Sequence, residues 1–322
     1  FTIKAARAYT NRPLIAKVEG AYHGSDDTAS VSTFAKPDVW GDPGAPNSVP
    51  MSGSTQHCAE AVVVMPMNDV EAARRIINEN RDQLAAVLID PMVKNLGYER
   101  ATPEFVRAIR EETSKHGILL IFDEVYSFRL GYNGAQGLLG INPDLTAMGK
   151  IIGGGLPVGA VGGSAAIMDE LFDQTTSPKL EHSGTFNANP MTMAAGAAAL
   201  ELWTPEEFDR VSALGDRARE GLRDAISATS AKAVVRGATS CIALFHVDPA
   251  HELRNYRDSV QLMMGDPGMM ERSYRFFVHM LNHGVLMTHH GFILLSTAMT
   301  EKEVDHLVEM SADGLKNIQA TQ

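Results

Sequence analysis

The sequence predicts an α/β protein, with a large, mostly parallel sheet domain over residues 1–203 and a smaller α+β domain over residues 204–322. Three observations predict it. Short apolar runs alternate with amphipathic helical stretches through the first two-thirds of the chain, the pattern of an open α/β sheet. Two of those runs, Leu84–Ile89 and Ile118–Phe122, are continuously apolar, which suits strands buried on both faces. After Thr204-Pro205 the pattern changes to a long charged helix, followed by short strands set between helices. A length of 322 residues allows one large or two medium domains, at roughly 100–200 residues each.

The elements follow in order. Thr2–Tyr9 reads as a helix, and Leu14–Glu19 as a strand that ends in Gly20-Ala21-Tyr22-His23-Gly24. The chain starts at Phe1, inside a helix and with no initiator Met, signal or transit peptide, so an upstream segment is expected. From Ser25 to about His57 the composition shifts to Ser, Thr, Asp, Pro and Gly. We expect a long irregular excursion there, of the kind that tends to carry function. Ala61–Met65 is a short strand, and Asp69–Asn80 a helix with Asp69 as N-cap. The Leu84–Ile89 strand is stopped by Asp90-Pro91. Thr102–His116 is a helix with Pro103 in its first turn and Gly117 just past its end. The Ile118–Phe122 strand is stopped by Asp123-Glu124. Leu145–Lys150, the cluster Gly153–Gly155 and Leu156–Gly163 come next, then a polar turn at Glu181–Pro190. The Ala-rich helix Met191–Trp203 has small residues at 194–199, which predict close packing against a neighbour.

In the second domain Glu206–Thr229 is a charged amphipathic helix, and Ala233–Val235 and Ile242–Val247 read as strands. His251–Asp266 is a connection and Met269–His283 a helix. Val285–Met287 and Phe292–Leu295 read as a final strand pair around His289-His290-Gly291, before a closing helix at Glu301–Leu315.

Composition narrows the function. Hydrophobic residues make up 44% and charged residues 21%, enough for a packed core and incompatible with wholesale disorder. Lys+Arg 28 against Asp+Glu 39 gives a net charge of −11, and the basic residues are scattered, so nucleic acid is not an expected partner. No stretch approaches the roughly 20 apolar residues of a membrane span, so no membrane partner is expected either. The two cysteines, Cys58 and Cys241, are far apart. With no Cys-x-x-Cys and no histidines clustered at ligand spacing, neither a metal site nor a disulfide scaffold is expected, and a reducing cytoplasm is the expected location.

The chemistry concentrates at strand ends. Open α/β sheets bind ligands outside the carboxyl ends of their strands, where Asp90 and Asp123 fall. Lys150 follows Asp123 by 27 residues, immediately before a glycine-rich turn. A lysine whose amine is kept partly neutral can form a Schiff base with a carbonyl. A carboxylate at a strand end can hold a heterocyclic nitrogen protonated. Pyridoxal phosphate needs both groups; the spacing by itself also allows a surface lysine and a capping aspartate. The run into Asp123-Glu124 could also be the acidic strand end of a Mg²⁺-dependent triphosphatase. That reading needs G-x-x-x-x-G-K-[ST] upstream, and none occurs, while Gly149-Lys150-Ile151 has no hydroxyl after the lysine. Gly153–Gly155 likewise departs from the G-x-G-x-x-G of dinucleotide folds.

Tyr22-His23-Gly24, Asp123-Glu124-Val125, Gly149-Lys150-Ile151-Ile152-Gly153-Gly154-Gly155, Pro157-Val158-Gly159-Ala160 and Ser183-Gly184-Thr185-Phe186 occur in that order. Together they resemble the class III (ω-type) aminotransferases, the group that includes glutamate-1-semialdehyde 2,1-aminomutase, from residue 1 to about residue 310. Leu171-Phe172-Asp173, His182–Asn187, Met191–Gly196 and Gly291-Phe292 look closest to β-amino-acid aminotransferases such as β-phenylalanine aminotransferase. The resemblance implies a fold-type-I pyridoxal 5'-phosphate transferase, with residues 1–203 as its cofactor-binding domain and a homodimer whose subunits share the active site. It implies transamination between a β-amino acid or amine donor and a keto acid acceptor; the alternative is the intramolecular amine transfer of the aminomutase.

The resemblance also implies roles. Lys150 binds the cofactor aldehyde and moves the proton between substrate and cofactor carbons. Asp123 keeps the pyridine nitrogen protonated. Tyr22 stacks on one face of the ring and Val125 packs on the other. Thr185 donates to the cofactor phosphate from the neighbouring subunit. His23 lies near the cofactor, and Asn95 and His290 fall at substrate-binding positions. Glu124 and Arg129 read as structural ion-pair partners. Three departures stand out. The family's phosphate-cradling Gly-Ser-Gly-Thr-like turn falls just before Phe1. Its Glu-Pro is Asp90-Pro91 here, followed by Met92-Val93-Lys94-Asn95. The Arg that grips a substrate carboxylate before the Gly-Phe turn is His290 here, preceded by His289, and a neutral imidazole has no bidentate fork. Amines and ketones of less acidic character therefore join the expected substrates.

Overall fold

The computed structural model describes residues 1–173, 175 and 177–319. They fall into two compact units, Phe1–Asn95 with Arg100–Trp203, and Leu96–Glu99 with the residues from Thr204 onward.

The first unit is built on a six-stranded sheet. Its strands are β1 (Leu14–Val18), β2 (Val62–Met65), β3 (Leu84–Ile89), β4 (Leu119–Asp123), β5 (Leu145–Gly149) and β6 (Gly159–Gly163), in the spatial order β6-β5-β4-β3-β1-β2. All neighbours run parallel except β6, which turns back antiparallel on β5. Every residue of β3 and β4 is buried, as their unbroken apolar runs require. The helices begin where side chains satisfy free backbone N–H groups. Asp69 accepts from Ala72 N at 2.9 Å and starts α2 (Val70–Asn80), which follows α1 (Thr2–Thr10). Thr102 accepts from Phe105 N at 3.3 Å and starts α3 (Pro103–His116), which Gly117 ends at φ +60°.

The Ala-rich helix α4 (Pro190–Leu202) packs as its small residues predict. A Cβ on Gly154 would lie 2.2 Å from the Ala195 carbonyl oxygen, and one on Gly196 would lie 2.4 Å from that of Ile152. The turn after β5 and the body of α4 therefore touch through backbone, which no larger residue permits.

The excursion after β1 contains only short regular pieces. It is tied down by a residue that reads, in sequence, as part of a strand. Lys17 is 0% exposed, and its Nζ donates to the carbonyls of Ala21 (2.9 Å), Ala29 (2.9 Å) and Val31 (2.6 Å) and to Thr33 Oγ1 (3.0 Å).

The second unit comprises α5 (Pro205–Thr229), β7 (Val234–Ala238), β8 (Cys241–Phe245), α6 (Met269–Asn282), β9 (Phe292–Leu294) and α7 (Glu301–Gln319). Strands β7-β8-β9 form an antiparallel sheet. Leu222, Ile242, Phe276, Met280, Ile293 and Leu307 belong to one apolar core, each such side chain worth roughly 1.5–3 kcal/mol of burial. The His251–Asp266 connection holds a helix of its own, Tyr256–Gly265, capped by Asn255 on Asp258 N.

Three expectations are corrected. Val285–Met287 is not a strand: Val285 N donates to Met280 O at 2.9 Å, so the segment closes α6, and β9 pairs with β8. Glu124 is held by backbone amides, accepting from Ala135 N (2.7 Å) and Gln136 N (2.9 Å) at the start of the short helix Gly134–Leu139. Histidines do occur at ligand spacing: His279 and His283 lie one helical turn apart, and Asp313 of α7 completes a cluster with them. Its third member stands 30 residues further on, where local spacing cannot reveal it. Among the described residues, no helix is long and apolar enough to cross a membrane.

Candidate active site

Four adjacent strands of the first unit bring their carboxyl ends to one edge. β1 leads into Tyr22 and His23, β3 into Asp90, β4 ends in Asp123 and β5 leads into Lys150. Asp123 stands opposite Ala147 in the β4–β5 register, so Lys150 emerges three residues further along the neighbouring strand. Asp123 and Lys150 thus share an edge because parallel pairing puts them there.

Asp123 is buried and fixed through both carboxylate oxygens. Its Oδ1 accepts from Val125 N at 3.0 Å, and its Oδ2 lies 2.8 Å from His23 Nδ1. Burial lowers the His23 pKa against the pull of Asp123, so the neutral ring is favoured, with its hydrogen on Nδ1 donated to the carboxylate. His23 Nε2 is then an acceptor, buried and without a partner among the described residues. A cavity of about 230 Å³ opens on His23 and Asp123, with Leu88, Ala147, Asp26 and Thr28 also in its wall.

Asp90, one strand over, is buried too. Desolvation and then the charge of Asp123 push its pKa well above the carboxylate range, while Met92 N–H and Ser127 oppose the shift.

Lys150 has a left-handed backbone, φ +50°, unusual for a residue with a Cβ and of the kind that gathers at functional sites. Its Nζ lies 4.9 Å from the centroid of the Tyr126 ring. Its pKa is lowered, first by desolvation; Asp123 and Asp90 pull it up and Lys94 pushes it down. Val125 lies against Gly149: a Cβ there would sit 3.5 Å from Val125 Cγ1.

Tyr22 is 52% exposed at the strand-end edge, a large ring left uncovered. Asn95 donates to Gly20 O at 3.4 Å, so it belongs to the same edge. Thr185 lies on an exposed stretch that runs from residue 181 to 188 and includes Phe186, 80% exposed. His290 belongs to the second unit, on the turn before β9, with its ring 3.8 Å from that of His289. The structure thus joins His23 to Asp123 by a direct bond and gathers Tyr22, Asn95 and Lys150 at the same edge. Neither Lys17 nor the His23–Asp123 bond stands out from the sequence pattern. A lysine inside an otherwise apolar strand run was the available signal for the first; the second spans 100 residues and has no local signal.

The sequence matches the aminotransferase class-III family over residues 1–315, and the chain belongs to that family. It is 35% identical over 316 residues to glutamate-1-semialdehyde 2,1-aminomutase 2 of Bacillus licheniformis, covering 95% of this chain and 68% of that protein. The fold superimposes on an omega-transaminase from Sphaerobacter thermophilus with a TM-score of 0.92 at 44% identity, over 99% of this chain and 71% of that one. For a β-phenylalanine aminotransferase from Variovorax paradoxus the TM-score is 0.82 at 33% identity, over 99% and 67%. The fold is that of the fold-type-I transaminases, and the chain is an enzyme of a pyridoxal-phosphate-dependent class.

The edge is suited to that cofactor. It offers a fixed carboxylate for a pyridinium N–H, an uncovered aromatic ring, a lysine amine with a lowered pKa, and an unpartnered buried acceptor on His23.

Proposed function

We propose that this enzyme carries out transamination, moving an amino group from a β-amino acid or amine donor to a keto acid acceptor, with Lys150 and Asp123 as its central residues. The observation that carries the proposal is the shared edge of β4 and β5: an amine of lowered pKa beside a carboxylate immobilised by His23 and Val125 N–H.

Bound pyridoxal phosphate supplies an aldehyde carbon and an electron-accepting ring. The chain's own residues do the rest. Lys150 Nζ would hold the aldehyde until a substrate amine displaces it, and the freed amine would then carry a proton from the substrate carbon to the cofactor carbon. Its lowered pKa keeps a larger neutral fraction for that work. Asp123 holds the proton on the ring nitrogen, and His23 Nδ1–H keeps the carboxylate aimed. Tyr22 covers one face of the ring, and Val125 backs the other. Thr185 donates to the phosphate across a homodimer interface. Exposed apolar side chains close by in sequence, Phe186 and Met191, support such an interface. Asn95 and His290 are proposed to contact the substrate, and the missing guanidinium at position 290 favours donors without a tightly gripped carboxylate.

The experiment is a donor screen on the purified enzyme, following the cofactor spectrum with β-amino acids, α-amino acids and simple amines in the absence of acceptor. Spectral conversion with β-amino acids or amines supports the proposal; no conversion with any donor ends it. A second reading is favoured by the 35% identity to an aminomutase. In that reading the amine moves within one molecule, so glutamate-1-semialdehyde is converted with no keto acid present. Turnover that requires pyruvate or 2-oxoglutarate excludes it.

A further inference from the structure

We propose that His279, His283 and Asp313 form a binding site for a divalent transition metal of the zinc type, which ties α6 to α7 in the second unit. The three side chains offer donor atoms that all lie within 4.8 Å of one another. His279 Nε2 and Asp313 Oδ2 are 3.5 Å apart. Two ligands held about 2.0 Å from a tetrahedral zinc stand about 3.3 Å apart, so this pair already has nearly the separation of a coordination edge.

The ring orientations suit metal binding. His283 Nδ1 lies 2.7 Å from the His279 carbonyl oxygen, one turn back on the same helix. The carbonyl can only accept, so Nδ1 carries the hydrogen and the Nε2 lone pair is left available. A ligating histidine whose second nitrogen donates to a backbone carbonyl is the usual arrangement around a protein-bound metal. The His279 and His283 rings lie side by side, with centroids 4.2 Å apart. Asp313 is steadied by Asn317 Nδ2, which donates to Oδ2 at 3.3 Å.

One rearrangement is needed. His279 Nε2 lies 3.2 Å from the Met310 carbonyl, to which it donates. On binding, the ring gives up that bond and turns its Nε2 from the Met310 carbonyl toward Asp313, while the hydrogen moves to Nδ1, with no net change in protonation. Two imidazoles, one carboxylate and a water make a four-coordinate set that suits zinc and is a poor match for Mg²⁺ or Ca²⁺, which take oxygen ligands. All three ligands belong to the second unit.

The test uses the cofactor-loaded protein with any affinity tag removed, stripped with a chelator and titrated with Zn²⁺ alone by calorimetry, with metal content checked by mass spectrometry. One zinc per chain, at least tenfold weaker binding in both H283A and D313N, and no comparable Mg²⁺ uptake are expected. His283 is exposed and D313N keeps its shape, so neither substitution threatens the fold. Absence of saturable zinc binding, zinc binding unchanged in both variants, or equal uptake of Mg²⁺ overturns the proposal. A higher unfolding temperature with zinc, lost in H279A/H283A, is the expected sign that the metal joins the two helices; an equal rise in that double variant counts against it.

Discussion

Two lysines in the first unit occupy opposite regimes. Lys17 is wholly buried in β1, and four oxygens surround its ammonium. Lys150 stands at the exposed end of β5, with its Nζ over a tyrosine ring and a pKa that desolvation lowers against the pull of Asp123 and Asp90. Burial pulls Lys17 down to about 7. Its surroundings nevertheless offer only acceptors, and a charged ammonium alone can supply three hydrogens to them. Lys150 is desolvated less, yet it keeps its amine open to an incoming carbonyl. The degree of burial therefore does not select the reactive amine. What selects it is whether the hydrogens of that amine are already committed, and Lys17 has committed all of them to holding a loop.

The sharpest way to break this comparison is to remove each amine in turn. Lys150→Ala is expected to lower kcat by about 10³-fold or more, since a lost nucleophile and a lost proton carrier fall together. Its unfolding temperature should stay close to wild type, because the side chain is exposed. Turnover and borohydride-reducible cofactor check both halves. Retention of a reducible linkage in the variant would end the assignment.

Asp123→Asn comes next. The amide keeps the shape but cannot hold a positive ring nitrogen, and a loss of about 10²-fold or more in kcat is expected. His23→Gln should cost less than Asp123→Asn, because His23 acts on the ring nitrogen through the carboxylate it aims. The order of the two in a single kinetic series is the measurement, and a larger loss for His23→Gln would reverse their proposed roles.

Lys17→Met tests the other side. It should leave the backbone oxygens of Ala29 and Val31 buried without their donor, at about 1–3 kcal/mol each. The expected result is a clear fall in denaturant midpoint. Because Tyr22 and His23 lie in the loop that Lys17 closes, the cofactor should also bind more weakly. An unchanged midpoint would mean that the four contacts contribute nothing net.

How much of this was legible in the sequence depends on the distance over which each feature is decided. β3 and β4 could be read because six and five consecutive buried positions leave a continuous apolar run. The starts of α2 and α3 could be read because Asp69 and Thr102 act on amides three residues away. The Asp123 and Lys150 pairing was reachable because both residues end strands in one parallel sheet. By contrast, the partners of Lys17 come from an irregular stretch with no periodicity. The apolar character of Val285–Met287 does not reveal that its first amide is used to close a helix. The His279–His283–Asp313 cluster depends on how α6 and α7 pack, which no spacing within either helix encodes.

Another buried base, His246 in the second unit, extends the rule to a group left without a full set of partners. Its ring is buried against Phe276 at 5.0 Å, and its Nε2 has no partner among the described residues. Burial first, and then the positive charge of Arg272, lower its pKa to about 4. In the unfolded chain it returns to about 6.5. Between those values the unfolded state binds more protons, so stability falls as the pH is lowered. The contribution is intact above about pH 6.5 and is exhausted below about pH 4, a total on the order of 3 kcal/mol. Urea midpoints measured across that window should fall with acidity, and His246→Phe, which keeps the ring and removes the proton site, should flatten the slope. Lys17 is equally buried but surrounded by acceptors, so Lys17→Met should lower stability while leaving the slope in this acidic window as it is. If His246→Phe leaves the slope as steep as wild type, the unpartnered nitrogen is not what acid attacks, and the distinction drawn between satisfied and unsatisfied buried bases fails at its clearest example.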